Sequence, residues 1–395
     1  MKNNHGGLSV FKKTMLVQLI VCLIISILFY GTMMSKMRIT CEPEVNKGSQ
    51  QRATTYQHPN ANDFDPVKTC TPEQLSAIER MLLGHPKWIK SNTSCPDKSW
   101  LSKYYIEYFG RNGRDETTRE HPSDTTSKAF LGISVGCNKG FDAIETARMG
   151  MSNTKFNKST WREALNVNMG NGGCGQEQDN NDPLLTDIQH NPMKEDEMHC
   201  IEPMPATFDV LLNASQTLGL DEEGLVVSKA AISSSNGKVR FPKGYAGAEA
   251  VSLHYSVNRP YKPSEEVPMY SLQTYVNTFV KSTGPINILS IDVEGYDFDV
   301  LFGAGDVLDR TQYLEFEFHR VGNWLKYSVM DAVNLLDGKG FTCYWLGREE
   351  RLWRLTGCHH DFYNTFHDWS NVACVHRSQE ELVMTMENIF LDTVK

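Results

Sequence analysis

The chain has no excess of positive charge: 39 Lys and Arg stand against 48 Asp and Glu over 395 residues, for a formal net charge of -9. Nucleic-acid binders usually present a basic surface, so a polyanion is excluded as the main partner. No Gly-Lys-Ser/Thr triplet occurs, which removes the phosphate loop of nucleotide hydrolases. No internal repeat is visible, so a solenoid or propeller is excluded. Zinc-type spacing is also missing around Cys358-His359-His360-Asp361 and His367. Adjacent histidines rarely converge on one ion, so no metal is assigned there. Long apolar runs are scarce, and the single uncharged one therefore stands out.

That run covers residues 15–34, MLVQLIVCLIISILFYGTMM. Its length suits a helix crossing a bilayer core of roughly 30 Å, and no Ala-x-Ala-like cleavage site follows it. It is expected to be an uncleaved signal anchor. Lys2, Lys12 and Lys13 precede it against Lys36 and Arg38 after it, which leans mildly toward a cytoplasmic N-terminus. Residues 1–14 are then a cytoplasmic tail and the bulk of the chain is lumenal, in the Golgi or another secretory-pathway membrane. The expected protein is single-pass, type II.

Cysteines and sequons bear on that orientation. Outside the run lie Cys41, Cys70, Cys95, Cys137, Cys174, Cys200, Cys343, Cys358 and Cys374, a supply that suits an oxidising compartment. The number is odd: if Cys137 stays reduced, eight are left for pairing, with the connectivity open. Asn92-Thr93-Ser94, Asn157-Lys158-Ser159 and Asn213-Ala214-Ser215 fit the glycosylation pattern. On a helix over 208–218, Asn213 falls opposite the face shared by Phe208, Leu211, Leu212 and Ser215.

Residues 35–99 are polar and carry Pro43, Pro59, Pro66 and Pro96, as a stem between membrane and domain would. One helix is expected within it, near 72–83. Thr71-Pro72-Glu73-Gln74 supplies an N-cap hydroxyl, a proline at N1 and a glutamine at N3. The aromatic-rich residues 100–109 predict a second helix, and 100–395 is read as the main domain.

From Lys128 onward, short apolar runs alternate with helical periodicity, as in a doubly wound α/β sheet. Residues 129–135 read as the first strand, opening into Gly136-Cys137-Asn138-Lys139-Gly140 before a helix. Two glycines at a strand-to-helix turn let the backbone approach a ligand and leave helix N-H groups free for it, although this turn lacks the full G-x-G-x-x-G. Met198-His199-Cys200-Ile201-Glu202-Pro203 ends a second strand in a carboxylate. An acid at that place accepts both ribose hydroxyls in α/β nucleoside binders, which makes Glu202 the ribose candidate. Residues 225–232 read as the third strand, with 233–237 as its turn. Residues 289–293 read as the fourth and 313–319 as the fifth. Alternation in the fifth puts Glu315 and Glu317 on one face and Leu314, Phe316 and Phe318 on the other.

Taken in order, the strand followed by Gly-x-Asn-x-Gly, then Ile201-Glu202-Pro203, Ala230-Ala231-Ile232, Ile291-Asp292-Val293-Glu294-Gly295 and Glu317-Phe318-His319 resembles the FkbM-type S-adenosylmethionine-dependent methyltransferases. The resemblance spans roughly 130–376. It implies a doubly wound, mostly parallel, seven-stranded sheet of the class I methyltransferase, Rossmann-like kind, with 340–345 and 370–376 completing it around a late antiparallel strand. It also implies that S-adenosylmethionine binds along Gly136, Asn138, Gly140 and Glu202, with Asp292 and Glu294 near the transferring methyl. Ser134 stands where the family usually has aspartate, Cys137 where alanine is usual, and Ser290 where lysine commonly precedes the Asp-Val-Glu run.

A long polar insertion near 151–198 is too long for an ordinary connection and is either disordered or a lid. Cys174 and Cys200 are expected to pin its far end. Transfer to a hydroxyl needs a base, and Asp292, Glu294 and His319 are the candidates, since strand ends converge on the crevice. The expected substrate is a hydroxyl of a glycan or another secretory-pathway molecule. Two other classes fit the topology. One is a type II glycosyltransferase, whose metal-nucleotide motif is Asp-x-Asp; Asp297-Phe298-Asp299 puts its carboxylates about 200° apart on a helix, and Asp63-Phe64-Asp65 lies in the stem. The other is a catalytically silent, methyltransferase-like surface protein, for which Ser134 is the best support.

Overall fold

The computed structural model describes residues 69–83, 129–151, 153–167, 194–242, 244–248, 263–347, 351–358, 363 and 370–395. The 15–34 run, the Asn92 sequon, the 100–109 segment, most of the polar insertion with Cys174, and His359, His360, Asp361 and His367 lie outside the described residues. Among the described residues, no helix is long and apolar enough to cross a membrane.

Chain order opens with α1 (Pro72–Leu83), β1 (Leu131–Val135), α2 (Phe141–Gly150), α3 (Lys158–Leu165), β2 (Glu197–Ile201), α4 (Pro205–Leu218) and β3 (Leu225–Ser228). It continues through β4 (Ala231–Ser233), β5 (Gly237–Pro242), β6 (Pro263–Ser271), α5 (Leu272–Phe279), β7 (Ile286–Ile291) and α6 (Asp297–Phe302). The last elements are β8 (Thr311–Phe318), α7 (Val329–Gly338), β9 (Phe341–Leu346), β10 (Leu352–Arg354), β11 (Ser370–His376) and α8 (Glu380–Thr393).

The large sheet runs β10-β9-β11-β8-β7-β1-β2-β3. Strands β3, β2, β1, β7 and β8 are mutually parallel, and β11 inserts antiparallel between β8 and β9. Every residue of β1 and β2 is buried, which explains why parallel central strands read as apolar runs. The doubly wound reading and the late antiparallel strand hold. The expected count of seven does not: β10 adds an eighth strand by folding back antiparallel on β9. Three residues give too short a pattern to read, and burial of Leu352 and Trp353 holds them in place.

The expected third strand is broken as well. Its pairing with β2 ends at Ile201 and Ser228, with a last bond from Glu202 N-H to the Ser228 carbonyl, after which Met204 N-H turns to the Glu202 carboxylate instead of to β3. Ala231–Ser233 leaves the large sheet and pairs with β6 in a second sheet of order β4-β6-β5. Met204, Ala231, Phe241, Ala248 and Val267 form a separate small apolar cluster under it.

The capping box of α1 is formed in both directions, Thr71 N-H to Gln74 Oε1 at 2.8 Å and Gln74 N-H to Thr71 Oγ1 at 3.3 Å. This helix sits in the segment read as a stem, yet Cys70 and Ile78 are buried in the main core and Cys70 is disulfide-bonded to Cys358. On α4, Asn213 is exposed while Leu211 and Ser215 are buried, as the helical spacing predicts. Asn157 accepts from Ser159 and Thr160 N-H and caps α3.

Candidate active site

The sheet reverses direction of winding between β1 and β7, and a crevice lies outside the C-terminal ends of the strands there. The Asp292 N-H still bonds to the Val135 carbonyl at 2.9 Å, so β1 and β7 stay together to their ends. Gly136 follows with φ 81°, and a Cβ there would lie 1.8 Å from the Asp292 carbonyl oxygen. Only glycine fits between the two strand ends. The turn then folds back on β2, with Gly136 and Cys137 N-H both donating to the Ile201 carbonyl at 3.0 and 3.1 Å.

That fold-back corrects two expectations about thiols. Cys137 is not reduced; it is disulfide-bonded to Cys200, with Cα atoms 5.3 Å apart. Cys200 is the register partner of Ser134, so a chain that turns back over β2 after Val135 brings residue 137 beside it. Cys200 is thereby unavailable to Cys174.

Glu202 sits at the end of β2 and is 5% exposed. Its two carboxylate oxygens are held separately, one by Asn138 N-H at 2.9 Å and the other by Met204 N-H at 2.8 Å. Each oxygen keeps a further lone pair, so two adjacent hydroxyls can still be accepted. Burial, and secondarily the Asp292 charge, push the Glu202 carboxyl up to about 7 against the pull of those two N-H donors.

Past β7 the chain turns through Glu294 at φ 54° and Gly295 at φ 93°. A Cβ on Gly295 would meet the Val321 carbonyl at 2.5 Å. Asp297 holds this turn from beneath: fully buried, it accepts from Val293 N-H at 3.3 Å, Gly295 N-H at 3.2 Å and Trp324 Nε1-H at 3.2 Å. Burial and the Asp292 charge keep it well above the usual carboxylate range. Asp299 accepts from Asn323 Nδ2-H at 2.6 Å. Both acids of the Asp-x-Asp pair therefore have structural work.

From β8, Glu317 and His319 reach the same edge, with His319 Nε2 3.2 Å from a Glu317 carboxylate oxygen. Burial first, then repulsion from Asp292, Glu294 and Asp297, holds Glu317 well above its ordinary range, and it is hydrogen-bonded to Asp292. Ligand atoms of Glu294, Glu317 and His319 lie within 4.8 Å of one another, close enough to share a divalent ion. This group is distinct from the Cys358 cluster that the sequence brings to notice.

Of the residues singled out in the sequence, Gly136, Asn138, Glu202, Asp292 and Glu294 line one pocket. Gly140 stands back from it and N-caps α2, where a Cβ would press on Trp161 and Leu211 at 3.0 and 3.1 Å. His319 is not part of the lining and lies against Glu317. The rest of the lining is largely apolar, with Met204, Ala230, Ala231, Ile232, Phe241 and Ala248. Phe241 comes from the second sheet, Met204 from the N-cap of α4 and Ala248 from a loop, so no single local run of residues announces this lining. Glu317 was readable in the alternation of β8, which places it on the face of Glu315, but nothing in the sequence pairs it with Asp292.

No curated protein and no solved structure matches the chain. The family model described as the Methyltransferase FkbM domain matches residues 174–342, which contain Glu202, Asp292, Glu294 and His319.

Proposed function

We propose that the chain is an S-adenosylmethionine-dependent methyltransferase that methylates a hydroxyl, on a glycan or another secretory-pathway substrate. The observation that carries this reading is the placement of Glu202. It is buried at the second strand end, with each oxygen fixed by a backbone N-H and each with capacity for one ribose hydroxyl, across a glycine turn from Asp292 and Glu294. When bound, S-adenosylmethionine supplies a methyl group on a sulfonium, transferred by in-line displacement, so alignment is the main demand on the protein. Met204, Ile232 and Phe241 give the crevice an apolar lining that disfavours water. Asp292 is the first candidate to take the acceptor proton, and Glu317, which burial and the neighbouring carboxylates hold well above its ordinary range, is hydrogen-bonded to it. Glu294 is the second candidate, and His319 acts through Glu317 rather than from the pocket. The apolar run at 15–34 and the sequons support a lumenal, membrane-anchored placement.

Calorimetry of the full chain with S-adenosylmethionine, S-adenosylhomocysteine and nucleotide sugars tests the reading. Heat is expected with the first two and none with the sugars. Silence with S-adenosylmethionine, or unchanged affinity in Glu202→Ala, overturns it; heat with nucleotide sugars alone favours the glycosyltransferase. For topology, a C-terminal tag is expected to be protected in sealed microsomes, and protease access to it inverts the orientation.

A further inference from the structure

Strand pairing between β1 and β2 ends at Val135 and Ile201, and beyond that pair the two chains lead into α2 and α4. Three successive residues then tie the cofactor turn to β2. Gly136 and Cys137 N-H share the Ile201 carbonyl, and Asn138 N-H reaches Glu202. Two of those three residues, Gly136 and Asn138, have positive φ, 81° and 45°, a conformation a free loop leaves readily, above all at a residue other than glycine. The covalent bond between Cys137 and Cys200 sits between them. Both cysteines are buried, 7% and 1% exposed, and neither lines the pocket, so the bond touches no ligand and acts on the residues that do. The other two described disulfides are elsewhere: Cys70–Cys358 ties α1 to the core, and Cys343–Cys374 joins register partners of β9 and β11.

We propose that the Cys137–Cys200 disulfide is a positioning device for the ribose site: it clamps the 136–140 turn onto β2, so that Asn138 N-H orients the Glu202 carboxylate and cofactor binding depends on the oxidised pair. The proposal rests on the methyltransferase reading of the crevice. It makes the crevice competent in an oxidising compartment and loose where both cysteines remain thiols, held then by hydrogen bonds alone.

The test compares the oxidised wild-type full chain with Cys137→Ala/Cys200→Ala and with Cys343→Ala/Cys374→Ala. Calorimetry is run with S-adenosylhomocysteine and its 2′-deoxy counterpart, alongside thermal unfolding. The first variant is expected to lose at least about tenfold in affinity for S-adenosylhomocysteine, about 1.4 kcal/mol, and most of its discrimination against the 2′-deoxy ligand. The second is expected to unfold at lower temperature yet keep affinity and discrimination within about twofold, the span that separates a lost stabiliser from a lost contact. Affinity and discrimination within that span in Cys137→Ala/Cys200→Ala overturn the proposal. If that variant does not fold, Cys137→Val/Cys200→Ala is read in the same way, and failure of both to fold makes the bond a folding requirement and overturns the local role. Absence of binding by the wild-type chain is the separate outcome that removes the methyltransferase reading and this proposal with it.

Discussion

Ser134 and Ser290 are register partners on adjacent parallel strands, β1 and β7. Neighbouring strands lie about 4.8 Å apart, so charges placed at both positions would act directly on each other. On its far side Ser290 pairs with Glu315, which makes a third polar residue in the row.

A double-mutant cycle tests this coupling. Ser134→Asp alone puts a carboxylate at a site 5% exposed and is expected to cost about 2 kcal/mol or more in urea unfolding. Adding Ser290→Lys is expected to recover at least about 1 kcal/mol of that loss. Strict additivity of the two changes would sink the idea.

Glu315 sets a pH dependence of stability. Burial raises its carboxyl from 4.5 to about 7, more than the Tyr313 hydroxyl bond lowers it. Between those values the folded chain holds a proton that the unfolded chain releases, so the contribution of Glu315 to stability is intact below about 4.5 and declines as pH rises through about 7. Glu315→Gln is expected to leave thermal unfolding at pH 5 nearly unchanged and to stabilise at pH 8. The gain should be roughly 1–3 kcal/mol, nearer the lower figure because the side chain keeps some solvent contact. Equal effects at both pH values count against it.

At Gly136, substitution by alanine should separate two effects of positive φ. Gly219 also has positive φ, 65°, but nothing lies within 4 Å of its added Cβ, whereas at Gly136 the Asp292 carbonyl is in the way. Gly219→Ala is expected to cost only about 1 kcal/mol of αL strain. Gly136→Ala should cost more and should lower cofactor affinity by about tenfold or beyond, since β1 and β7 must part. Equal stability and intact binding in both variants would contradict the close approach.

The ribose role proposed for Glu202 links cofactor affinity to pH. Only its ionised form accepts from two hydroxyls while also accepting two N-H groups, and its carboxyl titrates at about 7. Affinity for S-adenosylhomocysteine is expected to be flat above pH 8 and to fall below pH 7 by up to about tenfold per unit. Glu202→Ala should lower affinity by roughly 10–100-fold at pH 8 and flatten the profile. A wild-type profile level from pH 5.5 to 8.5 assigns the ribose to another group.

Much of the architecture was legible because it depends on chain-local patterns. Buried parallel strands read as apolar runs, the Thr71 to Gln74 box reads as a helix start, and helical spacing placed Asn213 on the exposed face of α4. The broken third strand was not legible, since the switch of Ala231–Ser233 from the large sheet to β6 is a pairing with residues far along the chain, which no local run of residues records. The apolar lining with Phe241 draws on separate segments, and so was hidden as well.

By itself the sequence determined which residues stand at strand ends, and therefore that Gly136, Glu202, Asp292 and Glu294 share one edge of a sheet. In parallel strands joined by helices every C-terminal end falls on the same side, whatever the order. Pairings were left to the tertiary structure: Cys137 with Cys200 across 63 residues, Ser134 with Ser290, and Glu317 with Asp292. Strand order and register decide these, and they are set by burial summed over the whole sheet rather than by any local run of residues.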